Sequence, residues 1–348
     1  MSGGVDSSVA AALLVEAGHD VVGVSMQLYD PQQGETRFGS CCTIDDLHDA
    51  RRVAAALGIP HYLVNFERQF GEQVVSDFVR EYAAGRTPIP CVHCNGQLKF
   101  ATLLERARAF DAERVATGHY ARVSFDARRG RHVLRRGLDP VKDQSYFLFT
   151  LDQAQLATAE FPVGDLSKDT VRAHARRFAL RVAEKPDSQE ICFVPPGEHA
   201  SFVERHAPEL ATAGVVVDQQ GHVVGRHGGV HHFTVGQRKG LGLSAGIPLY
   251  VVAIDAPART VVVGPRESIE RASFTASRVN WILCEPPAVA RRVTAQIRYR
   301  HREAPATVRP FDRGRVTVEF DEPQPAVAPG QAVVFYEEDA VVGGGWID

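Results

Sequence analysis

The sequence predicts an α/β domain built on a parallel sheet, followed by β-rich structure that ends in a small barrel. Three observations carry this prediction. Through the first half, strand-length apolar runs alternate with stretches of helical spacing, the pattern of parallel βα units. From Ser277 onward, short runs of alternating polarity, such as Val293–Arg298 and Val316–Phe320, are separated by Pro/Gly turns, as in a small barrel. The length of 348 residues also exceeds one comfortable core, so two or three domains are expected.

The chain opens on Met1, Ser2, Gly3, Gly4, Val5, Asp6, Ser7 and Ser8 and runs straight into the apolar segment Val9–Val15. Glycines let the backbone turn tightly, and the first amides of a helix lack internal partners, so such a turn attracts phosphate oxygens. No Gly-Lys-Ser/Thr follows, so this is not a Walker loop. It resembles instead the SGGxDS signature of the ATP pyrophosphatases, the PP-loop family, which implies that the turn holds the pyrophosphate end of ATP. A turn of this kind is normally delivered by a buried parallel strand, and here the chain begins at the turn. The expectation is that the first strand is missing and that Met1 is an internal methionine. The chain should then be less stable, or bind ATP more weakly, than one extended upstream.

Val9 to Ala17 reads as a helix closed by Gly18, and Val21–Met26 as a buried strand. Asp45–Leu57, ended by Gly58, is helical, and His61–Phe66 is the next strand. Further helices are expected at about Phe70–Ala84 and Asn95–Phe110, then a short strand Arg114–Thr117 that ends at Gly118 and His119. Near Asp187 the texture changes: Pro195, Pro196 and Gly197 break the chain, and glycines crowd residues 221–246. Gly240–Gly242 reads as a loop, because no strand–helix context supports a dinucleotide turn there.

Hydrophobic residues make up 44% and charged residues 23%, an ordinary globular composition. No apolar run approaches bilayer length and no signal-peptide pattern is visible, so the cytoplasm is expected. Six cysteines are too few for a disulfide scaffold at this length and are better read as reactive thiols, ligands or small buried residues. The net charge of −3 does not advertise nucleic-acid binding. Two local arginine groups, Arg128, Arg129, Arg131, Arg135, Arg136 and Arg291, Arg292, Arg298, Arg300, Arg302, read on composition alone as solvated faces.

Cys91 and Cys94 follow Thr87–Pro90 and stand just before a predicted helix, whose dipole favours a thiolate, so Cys94 is a candidate nucleophile. The same spacing would serve half a zinc site, but no second pair accompanies it, so structural zinc is not expected. Cys192 lies far along the chain within Asp187–Phe193. Buried, inert thiols are the default for Cys41, Cys42 and Cys284.

Taken in order, these blocks resemble the tRNA-specific 2-thiouridylase family over essentially the whole length. They are Ser2–Ser7, Gly23–Met26, Cys94–Asn95 with Lys99–Phe100, Ala116–Arg122, Asp143–Phe147, Lys185–Gln189 and Ile191–Phe193. Phe233–Arg238, Arg298–Arg300 and Ala328–Gln331 complete the set. The resemblance implies a PP-loop ATP-binding domain over 1–196, a small central domain over 197–270 and a tRNA-gripping barrel over 271–348. It implies that ATP, with Mg, adenylates the C2 oxygen of the wobble uridine and that sulfur then displaces AMP. By motif, Cys192 carries the persulfide and Cys94 attacks it, leaving a disulfide, which requires the two Cα atoms within about 7 Å. Met1, Ser2, Gly3, Gly4, Val5, Asp6 and Ser7 match the phosphate loop, and Met26 and Gly118 match adenosine contacts. His119, Lys142, Asp143, Gln144, Tyr299, Arg300 and Gln331 match tRNA-facing positions. The base would be flipped into the site from a splayed anticodon loop, and binding would weaken steeply with salt. A persulfide donor protein is the further partner implied, and no membrane.

Two positions depart from the family pattern. Ile89 stands where many members have Asn, and Cys91 where many have Asp. Cys91, Cys94 and Cys192 together offer three thiolates for an iron–sulfur cluster with one open iron, a possible but not favoured alternative to the persulfide. Two other readings stay open: another PP-loop adenylation that needs no paired cysteines, and a tRNA-binding protein that has lost catalysis with its first strand.

Overall fold

The computed structural model describes residues 1–28, 44–186, 191–195, 197–244 and 246–348. They fall into two compact units, the first made of 1–74, 91–196 and 339–341, the second of 75–90, 197–338 and 342–348.

The first unit is α/β. Helix α1 (Val5–Glu16) leads to strand β1 (Gly23–Gln27), helix α2 (Ile44–Leu57) and strand β2 (His61–Asn65), and the two strands pair in parallel with Met26 opposite Val64. Strand β3 (Val115–Ala116) pairs in parallel with a later short strand, Ala159–Glu160. Among the described residues no strand joins the two parallel pairs. β1 is only partly covered, alternating buried and half-buried positions, where the apolar run suggested a fully buried strand. α1 is rich in alanine and valine and buries Val5, Val9, Ala10 and Ala12 against Val53, Tyr120, Val163, Val171 and Leu180. Small side chains let it sit close to its neighbours, and each valine taken out of water contributes about 1.5–3 kcal/mol. Strands β4 (Ala121–Asp126) and β5 (Arg131–Arg136) form an antiparallel hairpin with Val123 opposite Leu134.

Two predicted helices are not regular. The first runs from Glu67 to Phe70, widens into a π-type turn over Gly71–Val75 and continues as Ser76–Ala83. The second starts with the turn Pro90–His93, widens over Cys94–Thr102 and tightens again over Leu103–Arg108. Cys94 therefore lies within a helical stretch one turn from its start, whereas the sequence placed it just before a helix. Wide turns of this kind recur at functional positions because they re-aim side chains.

In the second unit the helix Ser76–Ala83 packs on the helix His199–His206, with the Phe78 and Phe202 rings 5.9 Å apart and nearly perpendicular. Residues 75–90 thus group with residues more than a hundred positions later. A four-stranded sheet follows, built from β7 (Gly214–Val217), β8 (Val223–His227), β9 (Tyr250–Asp255) and β10 (Thr260–Gly264) in the order β8-β7-β10-β9, β6 being Ala159–Glu160. Val216, Val230, Phe233, Val251, Val261 and Val263 form its core. The C-terminal strands β11 (Glu270–Trp281), β12 (Arg291–Gln296), β13 (Ala304–Pro310), β14 (Val316–Pro325), β15 (Ala332–Glu337) and β16 (Ala340–Ile347) run in the order β11-β14-β13-β12-β15-β16, and β11 pairs with β16 to close a six-stranded antiparallel barrel. The alternation read in the sequence is visible in β13, where Ala304, Ala306 and Val308 are buried while Pro305 and Arg309 face water. Closure removes the unpaired edges of an open sheet.

Candidate active site

The opening turn is shaped by what surrounds it. Gly3 has φ of +70°, and a Cβ there would lie 2.2 Å from the backbone oxygen of Asp46 at the start of α2. Only glycine fits. Gly4 is extended and precedes α1, and among the described residues no side chain caps that helix, whose first amides lack partners inside it. Ser2 and Ser7 hold the turn closed: the Ser2 amide donates to Ser7 Oγ at 3.1 Å, and the two hydroxyls are 3.1 Å apart. Behind it, Gly118, two residues beyond β3, faces the first residues of α1, where an added Cβ would fall 2.5 Å from Ser7 N and 2.6 Å from Asp6 C. The Asp6 carbonyl, the Ser7 amide and the Gly118 backbone therefore occupy one crowded spot that a side chain on residue 118 cannot enter.

Two lysines complete the turn. Lys168 Nζ donates to both oxygens of Asp6 at 2.8 and 2.9 Å, and Tyr120 OH donates to Asp6 Oδ1 at 2.8 Å. Lys185 Nζ donates to Gly3 O at 3.0 Å, Asp46 Oδ1 at 2.6 Å and Asp49 Oδ2 at 2.7 Å. Burial alone would lower the Lys185 pKa, but the hydrogen bonds and charges of Asp46 and Asp49 outweigh it and raise it. Neither lysine was assigned a role from sequence. Lys185 stood in a quoted motif block, whereas nothing local marks Lys168.

At the sheet end, Ser25 Oγ donates to Met1 O at 2.6 Å and lies 2.8 Å from His61 Nε2, tying the start of the chain to β1 one residue before Met26. His119 follows Gly118, with Nδ1 2.8 Å from Thr117 Oγ1 and its ring against Phe100 and Phe161. Burial, helped by the Lys99 charge, pushes its pKa down to about 3. Gln144 belongs to the same corner, its Oε1 accepting from the Tyr120 amide at 3.0 Å. Asp143 points inward: its carboxylate accepts from Arg136 Nη1 at 2.9 Å, the Gly137 amide at 2.9 Å and the Ser145 amide and hydroxyl. Lys142 beside it is half-buried.

Cys91, Cys94 and Cys192 all belong to the first unit. Cys94 is buried at the start of the widened helical segment, and Cys91, half-buried, precedes it by three residues on the same helical face. Next to Cys94, Asn95 Oδ1 is buried with no hydrogen-bond partner among the described residues. Cys192 is half-buried, and Phe193 beside it packs edge-on against Phe70 at 5.4 Å. Residues 187–190 of that motif, and Cys41 and Cys42, lie outside the described residues. Cys284 is half-buried, where a buried thiol was the default expectation.

In the second unit, Gln331 Nε2 donates to Thr87 O at 3.0 Å, so the segment before Cys91 is tied to the barrel side of its own unit. Ile89 is buried. Tyr299 is half-buried with its carbonyl accepting from Gln296, and Arg300 is exposed. Of the two arginine groups, Arg129, Arg135, Arg136, Arg291 and Arg292 are each engaged by a carboxylate, which reduces the positive charge they offer to solvent.

Comparison with known proteins agrees with this architecture. Residues 1–196 match a family described as tRNA methyl transferase HUP domain, residues 200–265 one described as tRNA methyl transferase PRC-barrel domain, and residues 271–347 one described as aminomethyltransferase beta-barrel domain. A tRNA-specific 2-thiouridylase MnmA from Geotalea uraniireducens is 52% identical over 353 residues, covering 100% of this chain and 93% of that protein. One of the same name from Geobacter metallireducens is 51% identical, covering 100% and 95%. Among solved structures, the U34-tRNA thiolase NcsA from Methanococcus maripaludis aligns at 18% identity with a TM-score of 0.35 over 61% of this chain and 64% of that one, too slight a likeness to carry weight. With its whole length matched at about half identity and its three-part architecture in the expected order, the chain belongs to the tRNA-specific 2-thiouridylase MnmA family.

Proposed function

We propose that this protein converts the wobble uridine of tRNA to 2-thiouridine at the expense of ATP. The single observation behind the reading is the coexistence, in one unit, of a helix start that no described side chain caps, after a glycine turn, and the cysteines Cys94 and Cys192. The family descriptions speak of methyl transfer, whereas the full-length relatives are named thiouridylases. Methyl transfer needs no thiols, so the cysteines favour sulfur chemistry.

The substrate is MgATP, with its phosphates over Ser2–Ser7 and its adenosine between Met26 and Gly118. The uridine O2 attacks the α-phosphorus, the bond to the bridging oxygen breaks, and pyrophosphate leaves along the α1 amides. An amide-like oxygen is a poor leaving group and AMP a good one, so adenylation opens C2 to attack. The terminal sulfur of a Cys192 persulfide then bonds to C2 as AMP departs. Cys94 thiolate attacks the Cys192 sulfur, the S–S bond to the base breaks, and the thiocarbonyl and a Cys94–Cys192 disulfide result. Two thiol reducing equivalents, supplied by an external thiol, reset the pair, and a persulfide donor protein reloads Cys192. His119, Lys142, Asp143, Gln144, Tyr299, Arg300 and Gln331 are the positions assigned to tRNA. Asp143 would act there by shaping the loop, since its own carboxylate is satisfied inside the fold. Three thiolates, Cys91, Cys94 and Cys192, are the donors that would hold an iron–sulfur cluster, whose open iron would supply an alternative sulfur carrier.

The test is to incubate the chain with MgATP, a persulfide source and unmodified tRNA, and to measure 2-thiouridine by mass spectrometry after nuclease digestion. Product that disappears in Cys192→Ser and in Cys94→Ser is expected. 2-Thiouridine that survives Cys192→Ser would overturn the persulfide role of Cys192, ATP cleavage with no 2-thiouridine from the parent chain would point to another PP-loop chemistry, and tRNA binding without product or AMP release would point to a binding protein.

A further inference from the structure

The second unit carries a side-chain cluster that neither the nucleotide nor the thiol chemistry uses. Glu204, in the helix His199–His206, faces the short turn Val230–His232. Nε2 of His231 and Nε2 of His232 each lie 3.1 Å from the same oxygen, Glu204 Oε1. All three ligand atoms lie within 4.8 Å of one another. Consecutive residues of a strand point to opposite faces, so the tight turn at 230–232 is what brings both rings to one side, with centroids 4.5 Å apart. The cluster has a closed and an open side: the His231 side chain is fully buried, whereas those of His232 and Glu204 are 41% and 35% exposed.

Two ligands bound about 2.0–2.1 Å from a tetrahedral ion sit about 3.3 Å apart, close to the 3.1 Å that separates each imidazole nitrogen from Glu204 Oε1. Two imidazoles and one carboxylate are a donor set taken by borderline divalent ions, with water in the remaining position. We propose that Glu204, His231 and His232 form a binding site for a divalent transition-metal ion of the zinc class, open to solvent at its fourth position. The ion replaces the two imidazole protons that otherwise rest on Glu204, and it clasps the helix His199–His206 to the turn that leads into Thr234–Arg238. Because bound imidazoles must be deprotonated, affinity falls as the pH drops.

The full chain, stripped with a chelator and then dialysed free of it, is titrated with Co2+ under visible spectroscopy and melted with and without Zn2+. The variants are His232→Ala and Glu204→Gln, in a background where Cys91, Cys94 and Cys192 are serine, so that the site thiols do not compete. One equivalent of Co2+ should bind with a visible ligand-field band and no sulfur-to-cobalt charge-transfer band in the near ultraviolet. Affinity should fall at least tenfold in each variant, and Zn2+ should raise the melting midpoint of the parent but not of His232→Ala. His232→Gln keeps a polar side chain and serves the same comparison should the alanine variant not fold. Absence of saturable binding, binding undiminished in the His232 and Glu204 variants, or binding accounted for by a thiolate charge-transfer band would each overturn the proposal. In those cases Glu204 simply accepts hydrogen bonds from two histidines.

Discussion

Replacing Gly118 by alanine tests the geometry of the nucleotide turn directly. The added Cβ would meet Ser7 N at 2.5 Å, Asp6 C at 2.6 Å and Asp6 O at 2.9 Å. All three atoms are backbone, so no side chain can swing aside. Against ordinary contacts near 3.4 Å, α1 or the end of β3 must yield by close to an ångström. Overpacking of this kind costs about 1–3 kcal/mol, and at about 2–4 °C per kcal/mol the melting midpoint should fall by about 2–12 °C. The displaced atoms carry the amides proposed to bind phosphate. Loss of one charge-assisted hydrogen bond, about 1.5–3 kcal/mol, weakens ATP binding by about 10- to 150-fold. Calorimetric titration with a non-hydrolysable ATP analogue, alongside thermal melting, measures both effects. Gly71→Ala, where a Cβ meets nothing within 4 Å, is the control and should change neither. A Gly118→Ala protein with lowered midpoint and unchanged nucleotide affinity would refute the assignment of the α1 start as the phosphate site. An unchanged midpoint would refute the packing.

Lys168→Met strips Asp6 of its cation. Breaking a buried pair costs about 3–5 kcal/mol, and since Asp6 stays 31% exposed and keeps the Tyr120 hydroxyl, about 2 kcal/mol is expected in chemical denaturation; adding Asp6→Asn should recover part of it, and no recovery would count against the pair. Lys185→Met leaves Asp46 and Asp49 facing each other beside Gly3 O, so both stability and ATP affinity should drop, and an unchanged affinity would detach Lys185 from the turn. His119 is held neutral in the folded state, so below the ordinary histidine range the unfolded chain takes up a proton that the folded chain refuses. Its contribution is present above about pH 6.5 and is lost as pH falls toward 3, amounting to up to about 2 kcal/mol at pH 5. His119→Asn should therefore flatten part of the decline in melting midpoint between pH 7.5 and 5, and an identical decline would place the ring in solvent.

Much of this protein was legible in its residues taken in order. The glycine turn, the helices stopped by Gly18 and Gly58, the alternating α/β half and the barrel follow from patterns a few residues long, because turn geometry and period-2 or period-3.6 burial are local. The spacing of Cys91 and Cys94 was legible in the same way, whereas the pairing of Cys94 with Cys192 rests on resemblance and belongs to the proposal. Other features were settled only when the chain closed on itself. Lys168 reaches Asp6 across 162 positions and Lys185 reaches Gly3 across 182, and no local period encodes such meetings. Asp143, assigned by motif to tRNA, spends its carboxylate on Arg136, Gly137 and Ser145, because a buried charge must be paired where it lies. The Phe78–Phe202 contact draws residues 75–90 into the second unit, and the turn at 230–232 turns two adjacent histidines onto one glutamate. Local sequence determines which segments form and where they stop; burial of their apolar faces decides which segments meet, and so which distant side chains share a site.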